Sequence, residues 1–296
     1  MVQTETSQEK NKVLGGTLYL VATPIGNLAD LSPRALKVLG EVDFIAAEDT
    51  RNSLRLLTHF GISRPLISYH EHNKRERGSV IVERLLAGES CALISDAGTP
   101  AISDPGEDLV ALCAERGVPV SAIPGCCAGL TALTLSGLPT GRFCFEGFLP
   151  MDKRERRARL EALERETRTV LLHEAPHKLR TTLADLQAAL GGERRIALCR
   201  ELTKRNEEVL RTTLSGAIAH YEKQDPRGEY VLVLQGGDEQ SGAQSNTVAA
   251  LCLLSPAEHV AYYESAGRGR MDAIKAAAKD RHMQKSELYR LLCDDQ

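Results

Sequence analysis

TLYLVATPIGNLADLSPRALKVLGEV, residues 17–42, is the stretch on which the fold turns. Thr17–Thr23 is a short apolar run with no polar alternation, the pattern of a strand buried on both faces. It stops at a Pro/Gly turn, Thr23-Pro24-Ile25-Gly26-Asn27, and Asp30-Leu31-Ser32-Pro33 then opens the helical run RALKVLGEV. Serine before a proline at the first helical position is a helix-start signal. Strand, tight turn and helix in that order make one unit of a parallel α/β sheet.

The same grammar repeats downstream. Strands are expected at Phe44–Ala47, Pro65–His70, Cys91–Ser95 and Val118–Ile123. Helices are expected over SLRLLTHFG, about Arg75–Ala87 up to Gly88, Glu107–Arg116 and Cys127–Ser136. This alternation predicts a mostly parallel sheet covered by helices on both faces. Two further turns match the first: SDAGTP (Ser95–Pro100) and IPG (Ile123–Gly125). Ligands of open α/β sheets bind at the carboxyl ends of strands, so three such turns can share one crevice built largely from main chain.

GLPTG (137–141) is a concentrated turn signal and marks a boundary. Beyond it, strands at Phe143–Phe148, Thr169–Glu174, Arg195–Leu202 and Glu229–Gln235, separated by two long helical stretches, read as a second α/β domain with a more mixed sheet. The expected organisation is a disordered lead-in at 1–14, α/β domains at 15–138 and 139–238, a flexible linker at 239–249 and a helical extension at 250–296. In the extension, helices flank a Gly267-Arg268-Gly269 turn.

Composition narrows the function. With 296 residues, 42% hydrophobic and 26% charged, the chain reads as an ordinary globular protein. Lys+Arg 37 against Asp+Glu 40 leaves a net −3, so any nucleic-acid partner must be met by local basic patches. No run approaches the ~18 apolar residues of a membrane span. The eight cysteines include no CxxC pair, which fits reduced thiols in the cytoplasm.

Three constellations need weighing. His173-Glu174-Ala175-Pro176-His177 spells the HExxH zinc motif, but that chemistry needs both histidines on one continuous helix. TVLLHE reads as a strand and Pro176 would break a helix running through the motif, so no metal is expected there. His70-Glu71-His72 fits a solvated strand end better than a metal site. Cys126-Cys127 open a helix, where a thiol can be activated; with no base or resolving partner in view, they read as small residues leaving room for a ligand. Neither GxGxxG nor GxxxxGK[ST] occurs, which favours a ligand without a polyphosphate. S-adenosylmethionine fits: an adenosine to bury, a sulfonium to keep dry and a carboxylate that free N–H groups can bind.

The most basic cluster is Lys153-Arg154-Glu155-Arg156-Arg157-Ala158-Arg159. It fits either a salt-bridge-laced solvated helix or a phosphate-contacting edge. Arg268, Arg270, Lys275, Lys279 and Arg281 lie on the terminal segment, together with balancing acids.

The strings YLVATPIGNLADLS (19–32), AAEDTR (46–51), SDAGTPAISDPG (95–106), FEGFLP (145–150), HEAPHKL (173–179) and RELTK (200–204) resemble the tetrapyrrole-methylase-like (class III) methyltransferases. Within them they are most similar to the branch that methylates the 2′-oxygen of a cytidine in 16S rRNA. The likeness runs from about Leu18 to Gly236 and extends to the helical tail. It implies two α/β domains with S-adenosylmethionine in the cleft between them, a 30S ribosomal substrate and a homodimer. It also implies cofactor contacts from Pro24 and Gly26, from Asp96, Gly98, Thr99 and Pro100, and from Gly125, Cys126, Cys127 and Ala128. Glu174, Ala175 and Leu202 would close the site. Cys126 departs from the family pattern, in which Pro or another residue often stands there.

The resemblance names no base for the ribose hydroxyl. A positioned acceptor would help; Asp49 is the first candidate and Glu201 the second. Arg51 and Lys178 are candidates for holding phosphates. The alternative for all four is an ordinary ion-pair network. The rival functions are methylation of a tetrapyrrole carbon or a modified protein side chain, and RNA binding without catalysis.

Overall fold

The computed structural model describes residues 12–237, 251–281 and 283–294. Most of the expected lead-in and all of the expected linker lie outside the described residues. By contacts the chain forms two compact units, one running to Leu149 and resuming over Val170–Leu234, the other formed by Pro150–Thr169 and the chain from Gln235 onward.

The first unit holds two sheets. β1 (Leu18–Val21), β2 (Phe44–Ala47), β3 (Leu66–Ser68), β4 (Cys91–Ile94) and β5 (Val120–Ile123) form one in the order β3-β2-β4-β1-β5, every pair parallel. The helices between them are α1 (Pro33–Glu41), α2 (Thr50–His59), α3 (Lys74–Leu86) and α4 (Gly106–Glu115). Ser32 caps α1 by accepting from the Ala35 N–H at 3.1 Å, with Pro33 at the first helical position.

Strand side chains alternate between faces. Tyr19, Val21, Ile45, Ala47, Ala92 and Ile94 join one core with Ala35, Val38 and Leu39 of α1 and Leu57 of α2. Leu18, Phe44, Ala46, Cys91 and Leu93 join the opposite core with α3 and α4 residues such as Ile81, Leu85 and Leu109. Burial on both faces is why these strands read as unbroken apolar runs.

The second sheet contains β6 (Phe143–Gly147), β7 (Thr169–Glu174), β8 (Arg195–Arg200), β9 (Glu208–Thr213) and β10 (Tyr230–Leu234), in the order β6-β7-β10-β8-β9. β10 is antiparallel to β7 and β8, and β8 to β9. The sequence pattern does not reveal β9. It is an edge strand with no fully buried residue, so it carries no alternation to read. α5 (Ala128–Ser136) follows β5 in the chain yet covers the second sheet: Ala132 and Leu133 pack with Leu171, Ala197, Cys199, Val231 and Val233. α7 (Pro176–Leu190) and α8 (Leu214–Lys223) pack on one another, and α8 also contacts β8 and β9.

The second unit contains α6 (Lys153–Glu164), α9 (Pro256–Ser265), α10 (Arg270–Asp280) and α11 (Lys285–Asp294). Ser255 and Glu258 form a reciprocal capping box at the start of α9. Val260, Ala273, Ile274, Ala277, Ala278 and Leu288 make a small core for the last three helices. Among the described residues no helix is long and apolar enough to cross a membrane.

Candidate functional site

Because β4, β1 and β5 are neighbours, the turns that end them are neighbours too. Thr23 and Gly98 exchange backbone hydrogen bonds at 2.9 and 3.1 Å, and the Thr23 hydroxyl donates to the Ser95 carbonyl at 3.1 Å. Thr99 Oγ1 donates to the Cys126 carbonyl at 2.9 Å, which ties the third turn to the second. A Cβ on Gly125 would lie 2.7 Å from the Ala22 Cβ, closer than carbon atoms pack. One on Gly26 would lie 2.4 Å from Lys204 Cγ and 3.1 Å from the Leu202 carbonyl. The first turn is therefore seated against the loop after β8, and both positions need glycine for close approach.

Two cavities of about 410 Å³ adjoin this knot, within the range of small-molecule sites. Ile25, Ala97 and Ala128 from the turn side and Glu174, Ala175 and Leu202 from the second sheet line one. Pro24, Gly26 and Asp96 line the other, with Asn52, Ser53 and Arg55 of α2. The structure so brings together the expected turn residues with Glu174, Ala175 and Leu202. Gly98, Thr99, Gly125 and Cys126 hold the turns to one another and to the strand ends. Pro100 closes the second turn, and Cys127 is the residue before α5.

The charged groups each have a definite setting. Asp96 Oδ1 accepts from the Asp49 N–H and Oδ2 from the Asn52 side chain, both at 3.3 Å, so this carboxylate faces the start of α2. Asp49 caps α2 by accepting from the Arg51 N–H at 2.8 Å, and its carboxylate grips the Arg51 guanidinium at 2.9 and 3.2 Å. Those bonds hold its carboxyl down at about 2. Glu201 lines the first cavity, has a left-handed backbone (φ 51) and pairs with Lys204 at 2.8 Å. That ion pair and the Glu229 N–H keep its carboxyl below the ordinary range. Glu174 is buried at 5% exposure, its oxygens accepting from the Ala175 N–H at 2.8 Å and the Thr182 hydroxyl at 2.5 Å. Burial pushes the Cys126 thiol up, away from the thiolate a nucleophile needs.

Two further groups acquire their character from burial. His173 lines the first cavity edge-on to Phe145 and Phe148, at 5.2 and 5.5 Å. Its Nε2 is buried with no hydrogen-bond partner among the described residues, and burial lowers its proton affinity. Period-two alternation from Leu171, which packs under α5, would have placed it on that face. The HEAPH letters straddle the β7–α7 junction, with His173 on the strand and Pro176 opening the helix, so the zinc geometry is not built. Among the described residues no group of three or more His, Cys, Asp or Glu is placed to hold a metal ion.

The second such group is Glu48, at the end of β2. Burial first, then the charges of Asp96 and Asp104, raise its carboxyl above 4.5. The folded protein holds this proton more tightly than the unfolded chain does. The contribution to stability is therefore present at low pH and is lost as pH rises through the raised value. Glu48→Gln keeps an acceptor for the Asp96 N–H and removes the charge. Thermal melts should show the variant more stable than the parent at pH 7, with the gap closing below pH 4.5. A less stable variant at pH 7 would show that the carboxylate is favourable there.

Of the expected phosphate contacts, Arg51 is exposed and bound to Asp49, and Lys178 is half-buried in the first turn of α7. Lys153, Arg154, Arg156 and Arg157 lie on α6, in the other compact unit. Arg157 pairs with Glu161 at 2.9 Å, and Arg156 is half-buried with Nη1 3.4 Å from the Pro150 carbonyl.

Residues 17–218 match the family model of tetrapyrrole (corrin/porphyrin) methylases. The chain belongs to this family. It is 47% identical over 93% of its length to the ribosomal RNA small subunit methyltransferase I of Synechocystis sp., covering 97% of that protein. It is 50% identical over 80% of its length to the Pseudomonas aeruginosa protein of the same name, covering 87% of it. The fold is that of a uroporphyrin-III C-methyltransferase from Thermus thermophilus complexed with S-adenyl homocysteine. That likeness has a TM-score of 0.52 at 19% identity, over 74% of this chain and 97% of that one. The family member described here is a methyltransferase.

Proposed function

We propose that this methyltransferase transfers the methyl group of S-adenosylmethionine to the 2′-oxygen of a cytidine in 16S rRNA, within the 30S subunit and in the cytoplasm. The observation that carries the reading is the knot of three turns facing Glu174, Ala175 and Leu202 across a small cavity, in a chain nearly half identical to small-subunit rRNA methyltransferases. Ribose-methylation maps of small-subunit rRNA from cells with and without the protein test it. Loss of one cytidine 2′-O-methyl mark is expected, and identical maps would overturn the reading.

The residues present fit the donor. The first cavity is largely apolar and suits groups that must stay dry, while turn backbones brought close by Gly26 and Gly125 leave main chain available to a ligand. When bound, S-adenosylmethionine supplies an electrophilic methyl group on a sulfonium. The chain's part is to bind, orient and exclude water. Pro24, Gly26, Asp96, Gly98, Thr99 and Pro100 would hold the donor with Gly125, Cys126, Cys127 and Ala128, and Glu174, Ala175 and Leu202 would close over it.

Glu201 is the better placed of the two candidate proton acceptors, since it lines the cavity while Asp49 spends both oxygens on Arg51. A carboxylate below the ordinary range is a weak base, so positioning supplies more of the rate than proton transfer does. His173 offers an unpaired Nε2 beside Glu174 for orienting a substrate hydroxyl.

Arg51 and Lys178 would contact phosphates near the target, and Lys153, Arg154, Arg156 and Arg157 would steer the RNA. Replacing Arg154, Arg156 and Arg157 with alanine should lower affinity for the 30S particle and flatten its salt dependence while leaving donor binding unchanged. An unchanged salt slope would make α6 a solvated face only.

The homodimer fits an exposed apolar strip. Phe143 and Phe145 stand on one side of the edge strand β6, and Phe145 lies beside Gly129 of α5, next to exposed Leu130. Light scattering should give twice the chain mass, and a monomer at micromolar concentration would contradict the pairing.

A further inference from the structure

The terminal helices bear a charge arrangement that the proposed methyl transfer does not use. Seen in sequence, their acids and bases nearly balance, but the structure sorts them. Asp280 is turned inward, accepting from the Tyr263 hydroxyl at 2.6 Å and facing His259 Nε2 at 3.2 Å. Glu258 is spent on the Ser255 cap, at 2.8 Å to its N–H and 2.7 Å to its hydroxyl. Glu264 faces Arg270 at 3.7 Å. Arg281 is also taken inward, donating to His259 Nδ1 at 3.0 Å and to the Leu254 carbonyl.

What remains on the outside is a groove of about 560 Å³ along the α9–α10 turn and one face of α10. Arg268, Lys275 and Lys279 line it, against the single acid Asp272. All three cations are exposed, and neither lysine has an ion-pair partner among the described residues. Lys275 and Lys279 are four residues apart, so they share one helix face about 5–6 Å apart at Cβ. The Arg268 guanidinium rests over the Tyr263 ring, 4.8 Å from its centroid, which orients it without neutralising it. The remaining lining is Gly267, Gly269 and Ala276, and a Cβ on either glycine would meet nothing within 4 Å.

We infer that this groove is a second clamp for the phosphodiester backbone of the small-subunit RNA, carried on the terminal helices. Three unneutralised cations beside exposed main chain suit a run of phosphates. The groove has no large apolar side chain to anchor a peptide, which is the feature protein-binding sites rely on. A chain with net charge −3 has no bulk attraction for RNA, so a local cluster of this kind is where attraction must arise. The inference rests on the rRNA substrate proposed above. It adds a contact that positions the particle and reads no base.

The test is 30S binding across a salt series with the full chain carrying Arg268→Ala, Lys275→Ala and Lys279→Ala together. The slope of log affinity against log salt should fall by about 2–3, at roughly 0.7–0.9 for each phosphate no longer neutralised, with affinity near physiological salt down by about tenfold or more. Donor affinity and melting temperature should match the parent, because these side chains lie outside the core. Lys275→Arg with Lys279→Arg, which keeps both charges, should behave as the parent. A parent that binds and methylates the particle beside a triple variant with an unchanged slope would overturn the clamp and leave the proposed function standing. A parent that binds the donor but no RNA at any salt would overturn both. Displacement of the 30S particle from the parent by polyglutamate, but not by homopolymeric RNA, would overturn the clamp and assign the groove to an acidic protein instead.

Discussion

Asp96→Ala is expected to weaken binding of S-adenosylmethionine about tenfold or more. Asp96 lies in the turn after the central strand β4 and lines the second cavity, and its carboxylate meets the Asp49 N–H and the Asn52 amide. A hydrogen bond to a charged group contributes about 1.5–3 kcal/mol, and ~1.4 kcal/mol is a factor of ten in affinity. Alanine removes any such bond to the ligand and leaves the two α2 donors without this acceptor. Cys126→Ser is the control, since the Cys126 carbonyl, and not its thiol, holds the turn to Thr99. Titration calorimetry on both variants decides the matter: equal losses, or a larger loss at Cys126, would contradict the assignment. Asp96→Ala should also lower the Glu48 carboxyl towards its ordinary value, because the Asp96 charge is one of the influences that raise it.

Gly125→Ala is expected to destabilise the fold and weaken donor binding together. The added carbon would stand 2.7 Å from the Cβ of Ala22, which is 4% exposed and has no flexible end to move aside. The turn must shift, and with it the Thr99–Cys126 bond. Overpacking of this kind costs about 1–3 kcal/mol, and each kcal/mol lowers the melting temperature by ~2–4 °C in a domain of this size. Donor affinity should fall with the displaced turn, by about tenfold or more on the scale of one missing polar interaction. Gly40→Ala, in α1 with nothing within 4 Å of its added carbon, should be neutral or slightly stabilising. If both variants melt and bind like the parent, the three turns are not a rigid knot.

Much of this is legible in the residues. β1, β2 and β4 are buried on both faces, so they appear as apolar runs, and the starts of α1 and α2 carry their caps. Sheet order is not legible, since a parallel sheet accepts many orders from the same runs. It is the placement of β1 between β4 and β5 that makes the turns meet. β9 is hidden because an edge strand needs no apolar periodicity. α5 crosses to the second sheet through contacts far apart in sequence, such as Leu133 with Val231 and Val233. Asp96, Glu174 and Leu202 are placed by family resemblance. The raised carboxyl of Glu48 and the unpartnered Nε2 of His173 emerge only from burial in the fold, which composition does not encode.

Methyl transfer to RNA ribose is measured directly as transfer of labelled methyl from S-adenosylmethionine to purified 30S subunits, with the product then mapped. Label is expected at a single cytidine of 16S rRNA, on the 2′-oxygen, where it blocks alkaline cleavage of the adjoining 3′ phosphodiester bond. Label on a base or a protein, or a protein that binds the donor and methylates no RNA, would contradict it.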